Sequence, residues 1–562
     1  MLPVHRFSRA TGWLAPGWLL AGVLLLWIGA VQPANSQSQT ITGTVTDASS
    51  GETLPGVNVV VVGERNVGAA TDSDGTYRLT SVPADADSLE FSFIGFETQR
   101  VAIGTRSVID VALVRAPLMS EGVVVTALGI EREEEALGYA VESVEAADIV
   151  EANEISVATT LSGRVAGLEV DQAGSGPGGS SRLVLRGSSS LTKNNQALIV
   201  LDGIPINNTQ FQPAGRFGGF DFGDGITNLD PNNIESISVL KGPSAAALYG
   251  TRGGNGVIQI TTKKGRAQDG LGVSYRTALT VETPTVWLDE DFQDEYGRGT
   301  GGSLPTDADG TLFIPDGVES SYGPRMDGQS VRRFNGEVAP YTAQDAAEDF
   351  YDTGTTLTNS VALSGGNEVG TFRAAYTNLR NRGILPDHEL DQNTFTLAGT
   401  YTLTERLSVT GRTTYLKRES FNRPVLSDNP DNTVQQFLFL PRSTRLEDLQ
   451  PFQTANGEPI VWNNRVPGRK QNPFWTVNLN TNNDERDRLL GMLKARYELT
   501  DWLSAQIRGG QDLYTETRRW RRATNTVFEI STAPSRAKFQ ESRLKVEETN
   551  YDALITADGQ LT

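Results

Sequence analysis

The stretch "NTFTLAGTYTLTERLSVTGRTTYLKR" (Asn393–Arg418) alternates between apolar and polar residues with a period of two. Phe395, Leu397, Tyr401 and Leu403 share one face, and Thr394, Thr396, Thr400 and Thr402 share the other. The chain turns at Thr404–Arg406, and the alternation resumes with Leu407 and Val409. "LKARYELTDWLSAQIRGG" (Leu493–Gly510) repeats the device: Leu493, Ala495, Tyr497 and Leu499 oppose Lys494, Arg496 and Glu498 around a turn at Thr500-Asp501-Trp502. Strands of about ten residues with one apolar face are the pattern of a transmembrane antiparallel β-barrel, and a soluble sandwich alternates as well.

Loop lengths separate the two. About eight strands follow Gly270, with long excursions near residues 284–354, 381–392, 419–485 and 520–541. Tight turns fall near Gly365–Glu368, Thr404–Arg406, Thr500–Trp502 and Asp558. Long loops on one side and short turns on the other is the arrangement of outer-membrane barrels. Residues 266–562 are therefore predicted to be barrel sequence.

Upstream the pattern differs. Residues 1–36 read as an export signal: His5, Arg6 and Arg9, then the apolar Trp18–Val31, then Ala34-Asn35-Ser36 before a cleavage point at Gln37. An uncleaved anchor is the other reading of that segment. Residues 37–115 carry short β-rich runs at Thr40–Asp47, Gly56–Gly63, Thr76–Val82, Leu89–Phe96 and Val108–Val114, which predict a small β-sandwich. Asp72-Ser73-Asp74-Gly75 opens like a calcium loop but lacks the later ligands, so it reads as a hairpin turn, as does Asp307–Gly310. "EGVVVTA" (Glu121, Gly122, Val123, Val124, Val125, Thr126, Ala127) is an extended apolar run between two domains, a form suited to strand addition on a partner. The charges at Glu131–Glu135 read as a solvated face.

Residues 128–265 read as an α+β unit. Ser156 caps a helix through Val165, Asp230-Pro231 opens a helical turn, and strands are expected at Leu168–Gln172, Arg182–Arg186, Ala197–Leu201, Ile234–Leu240 and Val257–Thr262. "AGSGPGGSS" (Ala173–Ser181) joins two of them. The glycines in "LKGPSAAALYGTRGGNGVIQI" follow a helix (Ser244–Tyr249) and lead into a strand, so no helix N-terminus faces them. The dipeptide Gly-Lys of a P-loop occurs nowhere. Pro243 starts the helix, Gly250 ends it, and the remaining glycines allow a tight return. Gly254→Val is expected to destabilise this turn if residue 254 has positive φ.

Composition removes other classes. A net charge of −19 disfavours nucleic acid, the absence of cysteine excludes thiolate chemistry and disulfides, and two histidines leave little His-based catalysis. No catalytic carboxylate pair, cofactor motif or metal-ligand spacing is recognisable.

These motifs together resemble the SusC/RagA-type TonB-linked outer-membrane transporters. "ITGTVTDASSGETLPGVNVVVVG", "TDSDGTYRLTSV" and "FSFIGFETQRV" are similar to that family's N-terminal carboxypeptidase-regulatory-like domain. Residues 119–127 sit where its TonB box lies. "LSGRVAGLEV", "SSRLVLRGSSSL", "ALIVLDGIPI" and "NLDPNNIESISVLKGPSAAALYGTRGGNGVIQITTKKG" resemble its plug. Arg186, Gly187, Leu201, Asp202, Gly203, Lys241, Gly242, Pro243, Tyr249, Gly250, Gly254 and Gly256 stand in those motifs, with a structural role. The resemblance implies an importer rather than an enzyme, seated in outer-membrane lipid, with the inner-membrane TonB complex, a SusD-like lipoprotein and a glycan or peptide substrate as partners. The alternatives are a TonB-linked siderophore receptor and a secreted β-sandwich binding or adhesion protein. Eight strands fill a barrel with their own side chains and leave no room for such a plug, so the chain is expected to be the N-terminal part of a longer transporter.

Overall fold

A computed structural model describes residues 38–557, apart from 49, 63–66, 85, 94–95, 97, 115–122, 127–129, 134–140, 153, 192–193, 286–291, 319, 464–470 and 528–535. The export-signal segment and the turn near Asp558 lie outside the described residues. No described helix is long and apolar enough to cross a membrane. The chain divides into two compact units, residues 1–122 and 123–562.

The first unit is a two-sheet β domain. Ser38–Asp47 is flanked by Thr76–Pro83 and Val111–Leu113, and the second sheet runs Gly68–Ala70, Asn58–Val61, Ser88–Ser92, Gln99–Ala102. Inward residues Ile41, Val45, Val59, Leu79, Leu89 and Phe91 are fully or almost fully buried, and Tyr77 meets Phe91 edge-on at 5.5 Å. Gly68–Ala70 and Gln99–Ala102 were not expected as strands; their small or charged residues give no apolar run, and pairing to a neighbour holds them. The Asp72 carboxylate accepts the Asp74 and Thr76 amides at 3.0 and 2.8 Å and the Thr76 hydroxyl at 2.7 Å, so it closes the hairpin. Those bonds hold its pKa below the ordinary carboxylate value.

The second unit opens with Val123–Thr126 paired antiparallel to Ile130–Glu133. The expected extended run is therefore extended but self-paired, and the charge cluster supplies its partner strand. Next comes the five-stranded sheet Val141–Glu145, Ile234–Leu240, Val257–Thr262, Leu198–Leu201, Ile204–Pro205, with the hairpin Leu168–Gln172/Ser181–Leu185 beside it. The helix capped by Ser156 ends earlier than expected: it spans Val157–Thr160, and only turns continue toward Gly167. Val157, Ala158, Leu161, Ile199, Ile237, Val239, Ile258 and Ile260 form the core.

Eight strands then form one sheet in chain order: Gln268–Glu282, Gly354–Gly366, Gly370–Arg382, Glu389–Thr404, Leu407–Phe421, Asn482–Thr500, Leu503–Arg522 and Lys538–Ala557. Every neighbouring pair is antiparallel, so this is a meander and not a pair of packed sheets. The faces are inverted relative to a soluble protein. Leu397, Tyr401 and Leu403 are 62%, 55% and 55% exposed, whereas Thr394 and Thr396 are buried. Tyr497 lies on the outward face and Trp502 is exposed in the short turn beside it, as in the aromatic girdle of a membrane barrel.

The connections at the other end are folded. Residues 283–353 contain the small sheet Leu312–Phe313, Ser330–Arg332, Val338–Pro340 and the helix Ala346–Phe350. Phe350 packs against Phe437 and Phe474 of the 422–481 connection, with ring centroids 5.0 and 5.2 Å apart. Arg298 stacks 5.1 Å from the Trp462 ring and donates to Val318 O at 2.7 Å.

The glycine-rich return after Pro243–Tyr249 is a packing device, but Gly254 is not its critical position. Gly254 has φ −59°, so the positive-φ condition for strain there does not hold; a Cβ would lie 3.3 Å from Thr251 O. Gly256 has φ +94°, and its Cβ would lie 2.4 Å from Leu185 Cδ1 and 3.1 Å from Leu240 O. Gly256→Ala should therefore cost about 1–3 kcal/mol of plug stability through backbone conformation alone. Gly254→Ala should change it by less than about 0.5 kcal/mol. Urea unfolding of the two variants checks this, and equal losses would contradict it.

Candidate functional site

The two-residue turn in "LDGIP" shows how the plug sheet reaches the wall. Leu201 pairs with Ile204, and Asp202 and Gly203 both have positive φ, 49° and 82°, as a tight hairpin turn of this kind requires. The Asp202 carboxylate faces two ways. It accepts the Thr262 amide at 3.0 Å within the plug and forms an ion pair with Arg412 of the fifth barrel strand. Its carbonyl accepts Arg508 Nη1 from the seventh strand at 3.1 Å. A Cβ at Gly203 would overlap that guanidinium, and one at Gly510 would overlap Ile204. Both glycines therefore permit the close approach of turn and wall.

Further along the wall the same design repeats in a buried row. Asp484, Arg486 and Arg488 alternate inward on the sixth strand, opposite Asp512, Tyr514, Glu516 and Arg518 on the seventh. Arg488 binds Asp512 at 2.7 Å and donates to Gly225 O at 2.8 Å; Asp512 also accepts the Asn207 amide at 2.9 Å. Arg486 binds Glu516 and donates to Asn228 Oδ1 at 2.9 Å. Arg518 holds Glu516 at 2.8 Å and Phe211 O at 2.9 Å. Arg418 Nη2 donates to Phe222 O at 2.6 Å. Arg486, Arg488 and Arg518 thus spend some donors on a wall carboxylate and others on the plug, which a lysine could not do with fixed geometry.

The plug segment they hold, residues 207–230, is itself organised by carboxylates. Asp221 accepts the Ser175 hydroxyl at 2.6 Å and the Ser180 amide at 2.7 Å; burial opposes its charge, but these bonds and nearby Arg423 leave its pKa lowered. Asp224, more deeply buried and beside Asp221, is pushed upward despite the Ser181 amide at 2.9 Å. On the long-loop side this segment borders a cavity of about 320 Å³, lined by Phe217, Phe220, Trp520, Arg518, Arg522 and Asp431. Arg522 is tied to Asp431 at 3.0 Å, and Arg518 stacks 4.0 Å from the Phe222 ring.

The residues expected from sequence fall into four groups. Leu201, Asp202 and Gly203 lie at the wall contact. Arg186 and Gly187 form a second positive-φ pair, whose guanidinium lies beside Gly242, while Lys241 pairs with Glu142. Tyr249 packs against the cluster of Val141, Val200, Leu240, Ala245 and Val257; Pro243 opens its helix, and Gly250 and Gly256 shape the return. Glu121, Gly122 and Ala127 lie outside the described residues, and Val123, Val124, Val125 and Thr126 form the self-paired strand. The wall arginines were missed. Their signal was present in "NDERDR", where Asp484, Arg486 and Arg488 occupy alternate positions of a strand. No group of three or more His, Asp or Glu suited to a metal occurs among the described residues.

Comparison with known proteins agrees with this geometry. Residues 133–257 match the TonB-dependent receptor plug domain and residues 41–125 the CarboxypepD_reg-like domain. The TonB-dependent receptor P39 of Formosa agariphila is 38% identical over 250 residues, 44% of this chain and 22% of that protein. The TonB-dependent receptor SusC of Bacteroides thetaiotaomicron is 32% identical over 293 residues, 51% of this chain and 27% of that protein. The RagAB peptide importer in its open-open state superposes with a TM-score of 0.56 at 18% identity, over 77% of this chain and 46% of the matched chain, and shows the fold. In each case the matched stretch is less than half of the relative.

Asp512→Ala removes the partner of Arg488 and the acceptor of the Asn207 amide in one step. Breaking a buried pair this way should cost about 3 kcal/mol locally, and speed amide exchange over residues 207–228 about a hundredfold. Hydrogen exchange on the full-length protein checks this; unchanged protection would show that the row does not hold the plug.

Proposed function

We propose that this chain, which has the regulatory-like domain, plug and barrel strands of a SusC/RagA-type TonB-dependent receptor, takes part in importing a large nutrient across the outer membrane. The observation that carries the reading is the polar seam: the plug is held to the wall mainly by guanidinium bonds to its oxygens, with Leu490 alone of the wall's described residues joining the plug's apolar core. Such contacts exchange with water and re-form, so a pull on the plug can shift it without exposing a large apolar surface. The cargo class favoured is a glycan or peptide, received with a SusD-like lipoprotein. The regulatory-like domain ahead of the plug weighs against a siderophore receptor, and the outward apolar face weighs against a secreted sandwich. The role is transport and not catalysis.

Coupling is assigned to residues 121–127. Strand addition draws affinity from main-chain bonds, so the TonB complex must meet a strand that is free on one edge or displace Ile130–Glu133 from Val123–Thr126. Val124→Pro removes a donor and disfavours pairing. It should abolish uptake while leaving outer-membrane level and substrate binding intact. Uptake by that variant at the native rate would contradict the assignment.

A further inference from the structure

A second cavity, of about 470 Å³, lies between the plug and the first three barrel strands, toward the short-turn side. Lys263, Lys264, Arg266, Arg276 and Arg373 line it, and Glu235 is the one carboxylate among its lining residues. In a chain with 68 acidic and 49 basic residues, this bias runs against composition.

The arrangement of these cations matters more than their number. Arg373 pairs across strands with Ala398, and Ala398 with Arg412, so two guanidinium-bearing positions share one level of the inner wall. Lys494 and Arg508, directly paired on the next strands, continue the row beside Asp202 and Lys264. Asp202 neutralises Arg412, Asp552 binds Arg508 at 2.9 Å, and Glu235 lies 3.6 Å from Arg266. The contacts of Lys263 and Arg373 are of another kind. Lys263 donates to Asn232 O at 2.8 Å, and Arg373 to Asn233 Oδ1 at 3.3 Å. Neutral acceptors orient a cation without cancelling its charge. Burial and then the proximity of Arg373 lower the Lys263 pKa, with Asp230 offsetting part of the effect. The facing wall is small and hydroxylic, with Ser274, Ser360 and Ser364, and so leaves room and supplies further donors.

We infer that this seam binds the anionic groups, carboxylate or sulfate, of a solute passing between plug and wall. The inference rests on the import reading and adds the charge of the cargo to it. A cationic, water-accessible seam concentrates oxyanions, and clustered guanidinium and ammonium donors match their oxygens.

The test is equilibrium dialysis of labelled sulfate against the purified full-length receptor, in chloride buffer of fixed ionic strength. One saturable site is expected. The pair Lys263→Gln/Arg373→Gln should weaken it about tenfold or more, and the charge-preserving pair Lys263→Arg/Arg373→Lys should weaken it clearly less than the glutamine pair. Digalacturonate should compete for the site and galactobiose should not. Non-saturable binding, an unchanged glutamine pair, or failure of both sugars to compete would overturn the inference. Each readout is taken without the TonB complex. A receptor that imports through Val124 but binds no sulfate therefore refutes this inference alone.

Discussion

The structure depends on arginines that face inward from a wall whose other face is apolar. A guanidinium buried there without compensation would cost several kcal/mol, so each of Arg486, Arg488 and Arg518 is matched by a wall carboxylate and by a polar oxygen of the plug. The plug's loop carbonyls have the converse problem, because residues 207–230 make few ladder bonds of their own. Wall and plug therefore satisfy each other. Breaking one contact leaves two groups unpaired, which gives the seam its specificity although each bond contributes little net free energy.

That grip is possible only because the strands invert the usual burial rule. Period-two alternation puts Leu397 and Tyr401 outward and Thr394 and Thr396 inward, and cross-strand register carries the same faces through all eight strands. A one-residue slip of the seventh strand against the sixth would turn Asp512 and Glu516 toward the apolar face and leave Arg486 and Arg488 inward without their carboxylates. The long connections are folded at the far end and share the Phe350, Phe437 and Phe474 cluster, and Val425, Asn429 and Asp431 of the 422–481 connection line the cavity beside Phe220 and Trp520.

Much of this was legible in the residues. Strand alternation, the three strands Leu168–Gln172, Ile234–Leu240 and Val257–Thr262, and the short turns follow from local pattern alone. Gly68–Ala70, Gln99–Ala102 and Val141–Glu145 were not, because their extended form comes from pairing to distant strands. Gly254 and Gly256 look alike in sequence; only the backbone angle and the distance to Leu185 separate them. Asp202 stood out as a turn residue, yet its ion pair with Arg412, 210 residues away, is a property of the assembled barrel and plug. The wall arginines were hidden for the same reason, since an inward charge is read as a solvated one until a plug fills the lumen.

The plug sits against the wall at the Asp202 turn, and on the proposed import reading it must leave that contact for a solute to pass. The sequence has no cysteine, so one cross-link can be introduced cleanly. Ile204 packs directly on Gly510, with a Cβ at Gly510 falling 2.6 Å from the isoleucine side chain. Uptake by an Ile204→Cys/Gly510→Cys receptor, followed before and after reduction, is the direct measurement. A disulfide that blocks uptake when oxidised and restores it when reduced is the predicted result; undiminished uptake by the fully cross-linked receptor would contradict the account.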